Sequence, residues 1–334
     1  MSIVPSPTPR NLWEKANLVL GNGFLHKTGK LQALKPLSAL GELGLTRVGD
    51  TGTFVNEAGI VTPSLANTPR IDWSTGFPRL LLEPQSTNLL ANREVMANES
   101  IVVTATAHTL SFYGVGSVTL SGAATATLNG TGVNSRVTLT FTPTAGTLII
   151  TVSGSCTKGQ IEALPYATSY IYSLLGSTAT RGQDFCNKSG IGSLIGPTEG
   201  TLFVDFVWQG RSPIATGSTI ASLGLQSFGD SYITIASFND FIYARIAIGT
   251  AVQFTLNGFA MSPGQRIKAA LAYKQNDVCF AINGNIVGTN NSSGVPSLSQ
   301  LFLNNFFPNS KRIDQLKIDS IRFSNTELQK ITAL

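Results

Sequence analysis

The sequence predicts an all-β protein: an irregular N-terminal arm, two antiparallel β-sandwich domains of the jelly-roll type, and a short C-terminal helix. Short runs rich in Val, Ile and Thr recur along most of the chain, bounded by Gly, Asn or Pro. In one run Val137, Leu139 and Phe141 alternate with threonines, which is the period of a half-buried strand. No amphipathic helix separates these runs, so we expect antiparallel sandwiches.

Composition limits the class of protein. The chain has 334 residues, of which 42% are hydrophobic and 12% are charged, and its formal net charge is +5. The apolar content excludes an intrinsically disordered chain, and the low charge excludes a coiled coil. The 23 basic residues include no run of four or more. We therefore expect no nucleic-acid partner.

The cysteines and the first residues suggest where the chain is made. Cys156, Cys186 and Cys279 are widely spaced and lack the CxxC spacing of a zinc site. We expect buried free thiols, no metal and no other cofactor. The first ten residues lack an apolar run of signal-peptide length, and no stretch reaches the roughly 20 apolar residues of a spanning helix. These patterns predict synthesis in a reducing cytoplasm without membrane insertion.

Residues 1–88 are predicted to form an arm without an independent core. Glycines and prolines interrupt this segment too often for long elements. The patterns indicate a short helix near Pro9–Ala16 and short strands near Thr53–Val55 and Gly59–Val61. Because the arm has few apolar runs of its own, we expect it to dock on a neighbour, either another copy of this chain or another protein.

Two blocks of predicted strands follow the arm, joined by a Gly- and Ser-rich linker over residues 187–197. The first block, residues 89–186, contains the runs Ser100–Thr106, Ser117–Ser121, Arg136–Thr142 and Gly146–Ser153. The second block, residues 198–334, contains the runs Thr201–Trp208, Tyr232–Ala236, Phe241–Ile248, Arg266–Tyr273, Asp277–Ile282, Asn285–Gly288 and Leu316–Phe323.

Two local signals in the second block are specific. Asn283–Gly284 lies between two predicted strands and indicates a tight hairpin turn. Ser324 and Glu327 have the spacing of a capping box, which predicts a short helix over Glu327–Thr332.

Two segments of the chain carry distinctive patterns: Pro69–Leu90, PRIDWSTGFPRLLLEPQSTNLL, and Gly159–Ile171 followed by Thr178–Asp184. They resemble segments of bacteriophage virion proteins, especially tail and head fibre or appendage proteins. The first is similar to the entry into a carbohydrate-module-like jelly roll of that family, and the second resembles the pattern that closes the same module. The two occur in the family's order with one β domain between them, although Ser86 stands where the family usually has Arg. The resemblance covers residues 69–186.

The C-terminal block resembles a concanavalin A-like, or laminin-G-like, sandwich. The similarity lies in Gly200–Phe206, the Asn283–Gly284 hairpin, and the closing Ile321–Phe323 with the helix after it. Together the resemblances imply a virion structural protein with two stacked sandwiches behind an anchoring arm. They imply other virion proteins as partners of the arm, a homotrimer, and a location in the virion. On this view, deletion of residues 1–68 leaves soluble β domains that no longer join particles.

The residues that hydrolysis requires are sparse. A glycoside hydrolase needs two carboxylates about 5 to 9 Å apart, which a Glu-x-Asp-x-Glu run on one strand would supply. No such run occurs, and Asp314 and Asp319 would face opposite sides of a strand. His26 and His108 are the only histidines, and no Gly-x-Ser-x-Gly elbow is present. We predict that the chain is not an enzyme; a polysaccharide depolymerase requires distant carboxylates to converge.

Aromatic side chains are the candidates for glycan contact. The predicted ligand-binding residues are Tyr113, Tyr232, Phe306 and Phe307, each of which has an alternative place in a core. The charged residues of the two resembling segments are instead predicted to form structural ion pairs that tie the arm to the first sandwich: Glu83, Glu162, Arg181 and Asp184. No metal is assigned, because the nearest oxygen cluster, Asp230 with Asn239 and Asp240, is typical of turns.

Two hypotheses of function follow. The first is a non-enzymatic virion structural protein, a fibre or appendage that projects its sandwiches for contact with the host. The alternative is a glycan-binding adhesion module that recognises a bacterial surface glycan directly.

Overall fold

Antiparallel strands build most of the described chain, which confirms the all-β class. A computed structural model describes residues 16–21, 25–27, 30–36, 38–91, 93–172, 177–212, 217–225, 229–305 and 308–334. The chain forms two units. Unit 1 comprises the residues up to 46, residues 67–84 and residues 184–334, and unit 2 comprises residues 47–66 and 85–183. The chain therefore passes from one unit to the other four times.

The strands are numbered in chain order. They are β1 (Leu18–Leu20), β2 (Leu25–Lys27), β3 (Lys30–Gln32), β4 (Glu42–Thr46), β5 (Gly52–Val55), β6 (Val61–Ser64), β7 (Arg70–Asp72), β8 (Arg79–Leu82), β9 (Ser86–Asn88), β10 (Glu99–Val103), β11 (His108–Gly114), β12 (Ser117–Gly122), β13 (Ala126–Asn129), β14 (Gly132–Phe141), β15 (Gly146–Ser153), β16 (Cys156–Glu162), β17 (Ala179–Arg181), β18 (Phe185–Ser189), β19 (Glu199–Arg211), β20 (Gly217–Leu223), β21 (Tyr232–Phe238), β22 (Phe241–Ile248), β23 (Ala251–Ala260), β24 (Arg266–Lys274), β25 (Asp277–Ile282), β26 (Asn285–Asn290), β27 (Gln300–Asn304) and β28 (Asn309–Asp319). Single 3-10 turns lie at Ala39–Gly41 and Gly192–Leu194, and helix α1 spans Asn325–Thr332.

Unit 1 is a sandwich of two large sheets. Sheet A has the order β26-β25-β24-β19-β28-β8-β7, and β1 also pairs with β28. Sheet B has the order β2-β3-β4-β18-β27-β20-β21-β22-β23. Alternate residues of β19 point into the core between the sheets: Leu202, Val204, Phe206 and Trp208. Trp208 is completely buried in this core.

Helix α1 covers part of the outer face of sheet A, the face that points away from this core. The predicted capping box is confirmed: the Ser324 backbone N–H donates to the Glu327 carboxylate at 2.8 Å, and the Ser324 hydroxyl accepts from the Glu327 backbone N–H. Leu328 and Ile331 then pack against Phe203 and its neighbours on the sheet. Among the described residues, no helix is both long and apolar enough to cross a membrane.

Two hairpin turns in unit 1 use left-handed backbone conformations. Asn283 and Gly284 have φ angles of 49° and 83° between β25 and β26, which confirms the predicted turn. Asn239 and Asp240 have φ angles of 48° and 66° between β21 and β22. These two are therefore turn residues. Within the described ranges, no group of three or more His, Cys, Asp or Glu side chains is placed to hold a metal ion.

The structure divides the chain differently from the predicted boundaries at residues 88 and 187–197. Six strands before residue 84, β1 to β4 with β7 and β8, belong to sheets A and B, and they contribute these buried leucines to the core: Leu18, Leu20, Leu31, Leu43, Leu45, Leu80 and Leu82. The predicted linker contains the end of β18, and Ile191 and Ile195 are buried. Strands of three to five residues carry too few apolar positions to show a period, so the predicted arm and linker contain unrecognised strands. The predicted helix near Pro9–Ala16 lies almost entirely outside the described residues.

Unit 2 is a smaller sandwich. Sheet C has the order β10-β15-β12-β13, sheet D has the order β14-β11-β16, and the pairs β5-β6 and β9-β17 complete the unit. Its core includes Leu110, Phe112, Leu148 and Ile150. The predicted short strands near Thr53–Val55 and Gly59–Val61 are the β5-β6 hairpin.

All three cysteines are free and buried, as predicted. Burial raises the pKa of the Cys186 thiol to about 12 and that of the Cys279 thiol to about 11. Thiols that remain protonated at neutral pH are poor nucleophiles, so these cysteines are structural.

Candidate functional site

The outer face of sheet A carries a cluster of charged side chains beside helix α1, where Lys268 Nζ donates to the Ala333 carbonyl oxygen at 2.7 Å. We call this cluster the charged patch; its members are Asp72, Arg79, Asp205, Arg266, Lys268, Arg312, Asp314 and Lys317. Asp205 of β19 lies opposite Lys268 of β24 and Gln315 of β28. The register between β19 and β28 shifts next to Asp205, so β28 has an additional residue there, Asp314. This bulge brings a second carboxylate beside Asp205.

Arg266 joins the two carboxylates. Its Nε donates to Asp205 Oδ1 at 3.0 Å, and its Nη2 donates to Asp205 Oδ2 and to Asp314 Oδ2, both at 2.7 Å. The carboxylate side chains are almost buried, whereas the Arg266 side chain is 41% exposed. Burial and the charge of Asp205 raise the pKa of Asp314, against the opposing effects of Arg79 and Arg266. The site therefore presents a guanidinium to solvent above two carboxylates.

The loop between β7 and β8 lies beside this pair. Arg312 Nε donates to Asp72 Oδ2 at 2.7 Å, and Arg79 forms an ion pair with Asp314 at 3.7 Å. The Arg79 guanidinium carbon lies 5.8 Å from the ring centroid of Phe77, which is 65% exposed. The loop that carries Phe77 is thus attached to the charged patch at both ends, through Asp72 of β7 and Arg79 of β8.

Lys317 is the most deeply placed cation of the charged patch. The residue is only 2% exposed, and its Nζ lies 5.3 Å from the ring centroid of Phe203. Burial lowers the pKa of Lys317 to about 8, while Asp205 opposes this shift and Lys268 adds to it. Across the part of the chain that the structure describes, its ammonium has no hydrogen-bond or ion-pair partner.

Asp205 and Asp314 are the distant carboxylates whose convergence the sequence did not reveal. Retaining and inverting glycosidases both place the sugar between their carboxyl groups. Here the Arg266 Nη2 atom already lies between the two carboxylates, within 2.7 Å of each. His108 is buried, and its Nδ1 lies 2.8 Å from the Thr106 carbonyl oxygen, so its ring is held within unit 2. A sugar could lie between these two carboxylates only if Arg266 moved away.

Two of the predicted ion-pair residues, Glu83 and Asp184, meet in unit 1 at a residue that sequence reasoning missed. Arg70 Nη1 donates to Glu83 Oε2 at 2.6 Å, Arg70 Nη2 donates to Asp184, and the Glu83 backbone N–H donates to Asp184 at 2.8 Å. All three side chains are at most 1% exposed. Arg70 lies in the resembling segment, but it begins a strand of three residues, which is too short to show a pattern that predicts its burial.

The other two, Glu162 and Arg181, lie in unit 2. Glu162 accepts from Ser86 at 2.6 Å and from Thr168, and Arg181 Nη1 donates to the Thr168 hydroxyl at 2.9 Å. Of the predicted quartet, Glu83 and Asp184 are thus bonded to Arg70 in unit 1, and Glu162 and Arg181 are bonded to Thr168 in unit 2.

The predicted ligand-binding aromatics fall in three different settings. Tyr113 is half-buried in unit 2, with Lys158 Nζ 5.9 Å from its ring centroid. Tyr232 is 7% exposed on sheet B and offers little ring surface to a ligand. Phe306 and Phe307 lie outside the described residues. Neither Tyr113 nor Tyr232 belongs to the charged patch, which has Phe77 beside it.

Unit 1 also contains a buried lysine, Lys311. Its Nζ donates to the Thr219 carbonyl oxygen at 3.0 Å and to Asn309 Oδ1 at 2.8 Å, and the residue is completely buried. Burial lowers the pKa of Lys311 to about 7, against the opposing charges of Cys186 and Asp184.

This lysine is expected to make stability depend on pH. Between about pH 7 and about pH 8.5 the unfolded chain keeps a proton on Lys311 that the folded chain loses, so the free energy of unfolding rises with pH, by roughly 1.5 kcal/mol from this group. Urea unfolding across this range tests the slope. Lys311→Met should remove this part of the slope, and Lys274→Met, at an exposed site, should keep it. Parallel curves for Lys311→Met and the wild type would contradict a neutral Lys311.

Comparison with known proteins gives no family. No family model matches the chain, and no curated protein matches it. Among solved structures, the CBM40 of the Ruminococcus gnavus IT-sialidase bound to α2,3-sialyllactose is 13% identical, with a TM-score of 0.36, covering 44% of this chain and 98% of that one. A leech intramolecular trans-sialidase complexed with 2,7-anhydro-Neu5Ac is 16% identical, with a TM-score of 0.35, covering 42% and 24%. A botulinum neurotoxin type C structure is 9% identical, with a TM-score of 0.38, covering 45% and 39%.

Proposed function

We propose that this chain is a non-enzymatic glycan-binding adhesion module and that the charged patch with Phe77 is its binding surface. The observation that carries the proposal is the junction of Arg266, Asp205 and Asp314 beside an exposed phenylalanine. Carboxylates accept hydrogen bonds from sugar hydroxyls, and guanidinium groups donate to them. An aromatic ring provides the apolar face on which the C–H side of a sugar packs.

The ion pairs suit recognition because they are already ordered before a ligand arrives. Arg266 holds Asp205 through two parallel hydrogen bonds, which fixes the planes of both groups. Ligand binding therefore costs little conformational entropy at these side chains. The 41% exposure of Arg266 leaves the guanidinium accessible from solvent.

Replacing Arg266 is expected to weaken glycan binding. Arg266→Gln removes the donor that joins Asp205 and Asp314, and Phe77→Ala removes the stacking surface. Because hydrogen bonds to charged groups contribute about 1.5–3 kcal/mol, we expect at least a tenfold loss of affinity for Arg266→Gln. A glycan array identifies ligands of the wild type, and titration calorimetry with the strongest of them measures the loss.

Matched variants separate binding from folding. Arg245→Gln alters an arginine on sheet B that also bonds one hydroxyl, at Thr255, and stacks over Tyr243. Tyr113→Ala tests a predicted aromatic residue of unit 2. Both controls should bind like the wild type. A ligand whose affinity falls with Tyr113→Ala but not with Arg266→Gln would move the site to unit 2, and release of reducing ends from that ligand would identify an enzyme.

We infer a second candidate function, a virion appendage in which such a module makes contact with the host. The two segments that resemble phage proteins are paired in space: β9 pairs with β17 in unit 2, and Arg70, Glu83 and Asp184 are joined in unit 1. This pairing supports reading the segments as one motif. The homotrimer, the virion partners and the concanavalin A-like assignment of the C-terminal block belong to this proposal.

Two measurements test the second candidate. Light scattering of the purified chain should give about three times 35.3 kDa for a trimer. Mass spectrometry of gradient-purified particles from an induced lysate should find the chain at a constant ratio to other particle proteins. If the chain is a monomer and is absent from particles, the virion appendage is rejected and the glycan-binding module remains as the proposed function.

A further inference from the structure

The charged patch has more positive than negative charge, and some of its cations are not used by the protein. Five of its eight charged side chains are basic and three are acidic, which gives a net charge of +2. The acidic members are already paired: Asp205 and Asp314 with Arg266, and Asp72 with Arg312. A neutral sugar would bring no negative charge to neutralise the remaining positive charge of the charged patch.

Two cations have donor groups available to a ligand. Lys317 has no hydrogen-bond or ion-pair partner among the described residues, although it is 98% buried by area. Arg312 uses only Nε, toward Asp72, and within the described ranges its two terminal nitrogens have no partner. Although most of the Lys317 side chain is buried, its Nζ atom still reaches solvent. An acceptor on a ligand can therefore approach this ammonium from the solvent side.

From these contacts we propose that the charged patch selects glycans that carry a carboxylate, with Lys317 and Arg312 as the residues that recognise it. The inference rests on the proposed function and names its ligand class. The free Nη1 and Nη2 atoms of a guanidinium form a planar fork that matches the two oxygens of a carboxylate. Lys317 acts as a point charge on the same strand, five residues further on.

The test uses an array of neutral, carboxylated, sulfated and phosphorylated glycans with the full chain. The strongest carboxylated ligand is then titrated before and after chemical reduction of its carboxyl groups to alcohols. We expect reduction to weaken wild-type binding by tenfold or more, and Lys317→Gln and Arg312→Gln to bind the two forms equally. Lys274→Gln, whose lysine is 57% exposed elsewhere on sheet A, should keep the wild-type preference.

Each outcome decides a separate point. Equal binding of the acidic ligand and its reduced form by the wild type overturns the selectivity and leaves glycan binding in place. Hits confined to sulfated or phosphorylated glycans overturn the carboxylate as the recognised group. A blank array overturns the proposed function together with this inference. Lys317→Gln breaks no hydrogen bond of the described chain, so we expect its unfolding midpoint to equal that of the wild type. An unchanged midpoint shows that the variant acts on ligand recognition and not on folding.

Discussion

Deleting residues 1–68 is expected to abolish the folding of unit 1. The deletion removes β1 from sheet A and β2, β3 and β4 from sheet B. It also removes five core leucines that are at most 4% exposed: Leu18, Leu20, Leu31, Leu43 and Leu45. Burial of one leucine contributes roughly 1.5–3 kcal/mol, so the loss of about 10 kcal/mol is comparable to the entire stability of a domain. Loss of the cooperative transition in urea, followed by circular dichroism, is the measurement.

This result would differ from the sequence-based expectation that the same deletion leaves soluble β domains. The control is deletion of residues 1–15, which keeps every strand of the described chain and should unfold like the full-length protein. Unit 2 is affected too, because the β5-β6 hairpin is lost. If the chain without residues 1–68 remained soluble and unfolded cooperatively with a strand-rich spectrum, the N-terminal strands would be dispensable.

The fold was predictable from sequence where the strands are long. β19, β24 and β14 each run for nine or more residues, so β19 and β24 are visible as apolar runs and β14 as an alternation of apolar residues with threonines. β1, β3 and β7 have three residues each and become strands only because β28, β4 and β8 offer backbone partners. Such pairing depends on tertiary structure and leaves no local pattern.

The charged patch was not predictable because its members come from distant parts of the chain. Asp205 and Arg266 are 61 residues apart, and Arg312 and Asp72 are 240 residues apart. The alternation of side chains along β19 places Asp205 on the outer face of sheet A. Only the bulge in β28 opposite Asp205 brings Asp314 beside it. The one usable signal was the charge on β28 itself, where Arg312, Asp314 and Lys317 alternate with the apolar residues Ile313, Leu316 and Ile318.

Arg70→Met is expected to lower the free energy of unfolding by about 3–5 kcal/mol. Arg70 is completely buried and bonds both Glu83 and Asp184, so its removal takes a bonded cation away from two buried carboxylates. The cost arises mainly because these carboxylates stay buried after they lose that cation. The urea midpoint should fall while the dependence on denaturant stays the same, because the surface exposed on unfolding changes little.

Two further variants determine whether uncompensated charge is the cause. Arg211→Met removes an ion pair to Asp240 at 3.3 Å whose side chains are 30% and 37% exposed, and its cost should stay below about 1 kcal/mol. Arg70→Met combined with Glu83→Gln and Asp184→Asn should recover part of the loss, because amides carry no charge. Equal effects of Arg70→Met and Arg211→Met would contradict the role of the buried network. Since β7 and β8 carry Asp72 and Arg79, loss of Arg70 should also weaken binding at the charged patch, whereas Arg211→Met should not.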